Sequence, residues 1–317
     1  MSFQYWHNIG KVKKKKFIAL DYGYHGDTIG AMSVSGVGLF NKIFSPLFFF
    51  VYKVPTPYCY RCPMDKSRPF YDIVDSLIKK ERDKCRDTCN LDCIIPLENL
   101  LKDKAQEICA IILEPLVLAA GGMIVYPKEY LRKVADLCKR FEVHLILDEV
   151  ATGFGRSGKM FASEFVDNLK PDFICLSKGI TAGYLPLGVT LTTDRIYQAF
   201  WADYEKKKTF YHGHTYTANP LSCSAALASL EIFEKEKTLE RIQKLIPLFH
   251  TELEKFKGLG LVGDVRYIGL IGAIELVKDK QTKKGFSFKE RLGLKVYKKG
   301  LKENIILRPL GNVIYLF

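Results

Sequence analysis

The sequence has no apolar run as long as the roughly 20 residues that a membrane-spanning helix requires. The nearest candidate, residues 47–54, is short and flanked by prolines. Internal repeats and low-complexity linkers are also missing, and no residue type is enriched enough to indicate disorder or a collagen-like chain. With 317 residues and 48% hydrophobic content, the chain is predicted to be globular, with one large domain or two and no membrane partner.

The stripe of basic and aromatic residues that is typical of nucleic-acid-binding surfaces is missing as well. The formal net charge is +13, but much of the lysine is scattered along polar helix faces. The densest run, residues 13–16, precedes an apolar strand and is interpreted as a solvated loop. We predict no nucleic-acid partner, whereas an acidic or phosphate-bearing small molecule would suit the charge.

A secretory disulfide framework and a zinc site both lack their usual signatures. The nine cysteines are odd in number, and no signal peptide precedes them. Cys59 and Cys62 form a C-x-x-C pair, but no second such pair accompanies it. Cys85, Cys89 and Cys93 follow at four-residue spacing in a charged stretch. We predict free thiols in a reducing cytoplasm and no metal, and the role of these five cysteines stays open.

What the sequence does contain is a series of short apolar strands that each end in polar or glycine residues. The strands are apolar at consecutive positions, as strands covered on both faces are. A helical pattern at residues 130–141 separates two of them, so we predict the α/β class with a mostly parallel sheet. The predicted strands are residues 17–20, 110–113, 145–147 and 173–176.

The remainder of the chain is predicted to form helices and a second, smaller α+β domain. Helices are expected at about residues 221–237 and 239–256, and strands at 258–265, 268–276 and 305–308. We place the large domain at residues 1–235 and the small domain at 236–317.

Four polar side chains follow the strands of the predicted sheet: Tyr24, Glu114, Asp148 and Lys178. Ligands of such sheets gather outside the carboxyl ends of the strands, so these side chains should meet at one rim. Lys178 could be a surface lysine, a phosphate-binding lysine or a Schiff-base lysine carrying pyridoxal phosphate. The P-loop pattern is absent, which argues against the second interpretation. The third gives Asp148 the task of keeping the pyridine nitrogen protonated, instead of being an exposed acid or helix N-cap.

Several segments resemble the class III (ω-amino) aminotransferases of fold type I, and the resemblance extends over nearly the whole chain. They are Tyr24-His25-Gly26, Glu114-Pro115, DEVATGFGR at 148–156, Ser177-Lys178-Gly179 and HGHTY at 212–216. The resemblance implies pyridoxal 5'-phosphate as cofactor. It makes Lys178 the catalytic and cofactor-binding lysine and Asp148 the partner of the ring nitrogen. Tyr24 would pack on the ring, and His214 and Thr215 would bind the phosphate across a homodimer interface.

The resemblance also implies the substrate contacts. Tyr24, Lys178 and Gly213 would contact substrate, and Arg308 would bind a substrate carboxylate, which suits its planar fork of donors. Further pocket positions with less defined roles are Asp27, Arg156 and Tyr315, and for Arg156 a structural ion pair is an equal alternative.

Within the family, the similarity is strongest to members that convert 8-amino-7-oxononanoate to 7,8-diaminononanoate in biotin synthesis. It is carried by GYHGDTIGAMSVSG at 23–36, PYCYRCP at 57–63, residues 209–234 and ILRPLGNVIYLF at 306–317. The amino donor is expected to be S-adenosylmethionine, with lysine as an alternative. A class III enzyme acting on ornithine or 4-aminobutyrate, or an inactive remnant, remains open. Both ends are expected to be cut relative to the family, which would leave a fragment with little activity of its own.

Overall fold

The computed structural model describes residues 1–36, 38–64 and 89–317. In these ranges strands alternate with helices, and the larger sheet is mostly parallel, which confirms the predicted α/β class. The helices are α1 Ser2–Asn8, α2 Ile29–Val34, α3 Gly38–Asn41, α4 Ile95–Lys104, α5 Lys128–Arg140, α6 Asp194–Gln198, α7 Pro220–Lys235, α8 Thr238–Glu254 and α9 Leu292–Lys302.

The larger sheet forms the centre of the molecule. Within the described residues its strand order is β2-β1-β3-β6-β7-β8, with parallel pairing except between β7 and β8. The four predicted strands correspond to β1, β3, β6 and β7, each within two residues at its ends. The strands are β1 Lys16–Leu20, β2 Val51–Val54, β3 Ile108–Leu113, β6 His144–Asp148, β7 Phe173–Leu176 and β8 Val189–Thr192.

Both faces of this sheet are covered, which explains why its strands are apolar at consecutive positions. Leu101 of α4 and Leu131 of α5 pack with Ile111 of β3 in one cluster. On the opposite face Trp6 of α1 packs with Ala110 of β3. Because both faces of β3 are covered by apolar side chains, the first polar side chain, Glu114, comes only after the carboxyl end of the strand.

A second sheet follows α8, and its strand order within the described residues is β11-β10-β13-β12, with β9 paired to β10. All its pairings are antiparallel. The strands fall inside residues 236–317, although the domain boundary itself stays a prediction. They are β9 Val262–Ile268, β10 Ile271–Asp279, β11 Lys284–Gly285, β12 Arg308–Leu310 and β13 Val313–Leu316.

The predicted strand at residues 305–308 is wrong except at Arg308, where β12 begins. Residues 305–307 instead close the end of α9: the N–H of Ile305 donates to the Gly300 carbonyl, and Asn304 has a φ of 59°. A left-handed residue after a helix satisfies its last carbonyls. The apolar run therefore serves a helix end before it becomes a strand.

A short hairpin connects the two sheets. Its strands are β4 Val117–Leu118 and β5 Ile124–Val125, and the turn between them covers residues 119–123. Val117 and Met123 of this hairpin pack with Ile271, Ala273 and Val313 of the second sheet. The hairpin was not predicted from the sequence.

Within the described residues Cys59, Cys62, Cys89 and Cys93 form no disulfide bond, and Cys85 lies outside these residues. Burial, together with the neighbouring thiols, raises the pKa of Cys93 to about 12. Among the described side chains, no group of His, Cys, Asp and Glu is arranged to hold a metal ion. In the same ranges no helix is long and apolar enough to cross a membrane.

Candidate active site

Asp148 is the last residue of β6 and lies at the rim where the parallel strands end. Its Oδ2 is 2.7 Å from Nδ1 of His25, and its Oδ1 accepts a hydrogen bond of 3.1 Å from the N–H of Val150. The His25 side chain is 2% exposed. Two short contacts at opposite oxygens fix the orientation of the carboxylate.

His25 is a site residue that sequence reasoning missed, although it belongs to the quoted Tyr24-His25-Gly26 segment. It lies 123 positions from its partner, so no local spacing connects the two. Within the described residues its Nε2 is buried without a hydrogen-bond partner. The only sequence signal for His25 is its place beside Tyr24 in that segment, and it does not reveal the contact with Asp148.

Glu114 connects the rim to the hairpin. It follows β3 and is buried, and its two carboxylate oxygens accept hydrogen bonds from the N–H groups of Tyr24 (3.0 Å) and Ala119 (2.9 Å). Burial raises the pKa of Glu114 to about 8, and the charge of Asp148 adds to this, whereas Lys178 opposes it. The three ionisable groups Glu114, Asp148 and Lys178 therefore share one electrostatic environment.

Lys178 follows β7, the strand next to β6. In the register between these strands Asp148 is opposite Cys175, three residues before Lys178. The backbone of Lys178 has a φ of 41°, which is strained for a residue with a side chain. Behind it, a Cβ added at Gly179 would lie 2.7 Å from the Phe154 side chain. Strain held in place by packing is typical of functional positions, and here it leaves the Lys178 side chain exposed at the rim.

The loop after Asp148 is fixed by Glu149, which is fully buried. Its carboxylate accepts hydrogen bonds from the Thr152 hydroxyl (2.5 Å) and from the N–H groups of Ala162 (3.0 Å) and Ser163 (2.8 Å). Glu149 thus holds the two ends of the loop together as a ring, and the preceding residue, Asp148, lies at the rim.

Tyr24 is linked to Asp148 and Lys178 by Glu114. Its backbone N–H donates to the Glu114 carboxylate, which interacts electrostatically with both residues. Its hydroxyl donates a 2.8 Å hydrogen bond to Asp27, and its ring meets Phe40 edge-on. Burial and the Asp27 contact raise the pKa of Tyr24 to about 12, so the hydroxyl is a hydrogen-bond donor at neutral pH. The predicted rim therefore contains Tyr24, Asp148 and Lys178 together.

Arg308 lies on the second sheet, exposed, where it is directly opposite Tyr315. Tyr315 packs on the cluster that contains the hairpin, so this face of the second sheet is turned toward the rim. For Arg156, the guanidinium lies 5.0 Å from the centre of the Phe317 ring. That contact is a cation–π interaction, and the structural ion pair considered for Arg156 is not what the described residues show.

The segment with Gly213, His214 and Thr215 is exposed on the surface. The N–H of His214 donates to the Thr217 hydroxyl, and the His214 ring meets His212 edge-on. Within the described part of the chain, no hydrogen bond or ion pair links this loop to Lys178. The predicted roles of these three residues therefore stay predictions.

The sequence model of the family Aminotransferase class-III matches residues 1–317. The adenosylmethionine-8-amino-7-oxononanoate aminotransferase of Geobacter sulfurreducens is 45% identical over 100% of this chain and 66% of its own length. The crystal structure of the enzyme of that name from Methanocaldococcus jannaschii has a TM-score of 0.87 and 46% identity, over 99% of this chain and 66% of that one. This chain spans about two thirds of the length of such relatives.

A second solved structure extends the comparison to another activity. It is an amine transaminase from an uncultivated Pseudomonas species in a form with bound pyridoxal phosphate, with a TM-score of 0.86 and 35% identity. The alignment covers 99% of this chain and 67% of that one. These likenesses confirm the expected fold of pyridoxal-phosphate transaminases.

Proposed function

Because the chain belongs to the class III aminotransferase family, we propose that it is a pyridoxal-phosphate-dependent aminotransferase that forms 7,8-diaminononanoate from 8-amino-7-oxononanoate. The observation that carries the cofactor assignment is the placement of a fixed, buried carboxylate and a strained lysine at the ends of neighbouring strands.

The rim residues fit the ring of pyridoxal phosphate. A carboxylate with both oxygens oriented suits a protonated ring nitrogen. Within the described residues the buried Nε2 of His25 has no hydrogen-bond partner, which supports a polar ligand at this corner. When bound, the cofactor supplies an electron sink for the pair left by loss of the substrate proton. Asp148 would hold the ring nitrogen, and Nζ of Lys178 would take and return that proton.

The carboxylate of the oxo acid is assigned to Arg308. An exposed guanidinium on the sheet face that is turned toward the rim offers a planar pair of donors to a carboxylate. The relatives' name supports S-adenosylmethionine as amino donor, and lysine is the alternative donor.

We further propose that the protein works as a homodimer in the cytoplasm. The segment around His214 carries exposed aromatic side chains, among them Trp201, Tyr204, Tyr211 and Tyr216. Large exposed apolar patches mark interaction surfaces, and a second copy would cover these aromatics while its rim receives His214 and Thr215. Free thiols such as Cys93 fit a reducing compartment.

The second candidate is a broader amine transaminase, which the Pseudomonas structure favours. The test is an acceptor and donor screen on the chain extended at both ends to the length of its relatives and loaded with pyridoxal phosphate, because residues 1–317 alone are expected to have little activity. We expect mass spectrometry to detect 7,8-diaminononanoate from 8-amino-7-oxononanoate with S-adenosylmethionine or lysine. Amine transfer to pyruvate or 2-oxoglutarate from ornithine or 4-aminobutyrate, with no diaminononanoate formed, would reject the proposal in favour of the second candidate.

A further inference from the structure

A buried charge network lies on the second sheet, beside the turn of the hairpin. Nη1 of Arg266 on β9 is 2.7 Å from Oε2 of Glu275 and 3.0 Å from Oδ2 of Asp264. All three side chains are buried. Burial opposes ionisation of Glu275, but Arg266 and Arg61 outweigh it and hold the Glu275 pKa below its usual range.

The network is completed by Tyr58 and Arg61, which come from the segment after β2 and not from the second sheet. Nε of Arg61 donates to Oε1 of Glu275 at 2.6 Å, and the Tyr58 hydroxyl donates to Oε2. The Arg266 guanidinium also lies 5.3 Å from the centre of the Tyr58 ring. Both residues belong to PYCYRCP, a segment to which neither the cofactor nor the substrate assignment gives a role.

Arg266 also binds the turn of the hairpin. Its Nε and Nη2 donate to the carbonyls of Met123 (2.7 Å) and Gly122 (2.6 Å) in the turn. This turn also packs closely against the loop that precedes Tyr24 at the rim. A Cβ added at Gly121 would lie 2.3 Å from the Tyr22 carbonyl. The N–H of Ala119, at the start of the same turn, donates to Glu114.

Arg266 is also in register with Arg308. Arg308 is opposite Tyr315, Tyr315 is opposite Ala273, and Ala273 is opposite Arg266. Directly opposed residues share one face of a sheet, so a single row crosses four strands from one arginine to the other. Three strand spacings of about 4.8 Å place the two backbones about 14 Å apart.

We propose that Tyr58 and Arg61 are positioning residues that, through Glu275 and Arg266, fix the hairpin and the second sheet against the rim. These contacts of Tyr58, Arg61, Glu275 and Arg266 are called the clamp below. On the basis of the proposed function, the clamp sets the distance between Lys178 and Arg308, and therefore the length of the substrate that the site accepts. A buried ion network contributes little to stability compared with apolar packing of similar volume. Its directional contacts are suited to fixing a register.

The first test measures the clamp without any substrate, by hydrogen exchange of the apo chain. Tyr58→Phe and Arg61→Met are compared with Tyr52→Phe and Arg132→Met, which change the same residue types elsewhere. We expect exchange of the hairpin amides at 117–125 to accelerate on the order of tenfold, with β3 unchanged, and Arg61→Lys to restore much of the protection. Unchanged hairpin rates, or equal acceleration in β3, would overturn the clamp.

The second test is spectral titration of the cofactor-loaded variants with 7,8-diaminononanoate and with a homologue two methylenes shorter. We expect the preference for the longer compound to fall on the order of tenfold in Tyr58→Phe and Arg61→Met, because small displacements at a site have large effects. The affinity for pyridoxal phosphate should not change. An unchanged preference overturns the length-setting role. If neither compound changes the cofactor spectrum of the wild-type chain, the proposed function is rejected. The hydrogen-exchange rates still test the clamp in that case.

Discussion

Nδ1 of His25 and Oδ2 of Asp148 are 2.7 Å apart, although the two residues are separated by 123 positions in the chain. The pair joins the loop after β1 to the end of β6, and it is buried from solvent. His25 therefore orients the carboxylate of Asp148, the residue proposed to hold the cofactor ring nitrogen.

We expect His25→Asn to weaken binding of pyridoxal phosphate by about tenfold or more, since a hydrogen bond to a charged group contributes roughly 1.5–3 kcal/mol. Fluorescence titration of the apo chain with the cofactor measures this, with the exposed His7→Asn as control. Equal affinities of the two variants would show that Asp148 keeps its orientation without the imidazole.

Lys178→Ala is expected to abolish the visible absorbance band that pyridoxal phosphate gives when attached to a lysine. The reason is that Lys178 is the lysine at the strand end beside Asp148. Lys170→Ala, an exposed lysine before β7, serves as control and should keep the band. A band that persists in Lys178→Ala would rule out the assignment.

In a chain extended at both ends to the length of its relatives, Arg308→Ala is expected to raise the KM for 8-amino-7-oxononanoate and leave the cofactor spectrum unchanged. Loss of a charge-assisted contact to a carboxylate corresponds to roughly 1.5–3 kcal/mol, or about 10- to 150-fold. The comparison is Arg132→Ala on the surface of α5. Parallel loss of cofactor binding in Arg308→Ala would contradict a role limited to the acceptor.

Stability should depend on pH through Glu114. Its pKa is raised from 4.5 to about 8 by burial, so between these values the folded chain binds more protons than the unfolded chain. The free energy of unfolding therefore falls as pH rises from about 4.5 to 8. We expect Glu114→Gln to flatten this slope in urea titrations, whereas the exposed Glu129→Gln should retain it. A wild-type slope in Glu114→Gln would refute the assignment.

Mixing two inactive variants tests whether the phosphate is bound across a dimer. In a hybrid of Lys178→Ala with His214→Ala/Thr215→Ala, one site receives intact Lys178 from one chain and intact His214 and Thr215 from the other. Random pairing should restore cofactor binding to about a quarter of the sites after joint refolding. No recovery above the separate variants would place both elements in one chain.

The sequence was sufficient to predict the rim because its signals are local. Apolar runs that end in Asp148 or Lys178 predict buried strands, and strand direction then predicts that their ends meet. The same argument places Tyr24 near them. These inferences require only a few consecutive residues each.

The contacts that escaped prediction are formed between distant positions. Neither His25 nor Arg266 shows in its neighbours which carboxylate it will meet, and the hairpin strands are only two residues long. Apolar residues 305–307 have the composition of a strand but end a helix. Pairing of this kind is decided by tertiary packing, which no window of sequence contains.

The ring closed by Glu149 has a consequence for proteolysis. Arg156 lies exposed within it, and its position would make it an obvious target for trypsin. A protease, however, requires an extended segment of several residues, and the three hydrogen bonds to Glu149 hold the two ends of this segment together. We therefore expect cleavage after Arg156 to require that the buried carboxylate release its partners, so that the loop beside the rim is protected by a side chain that does not reach the surface.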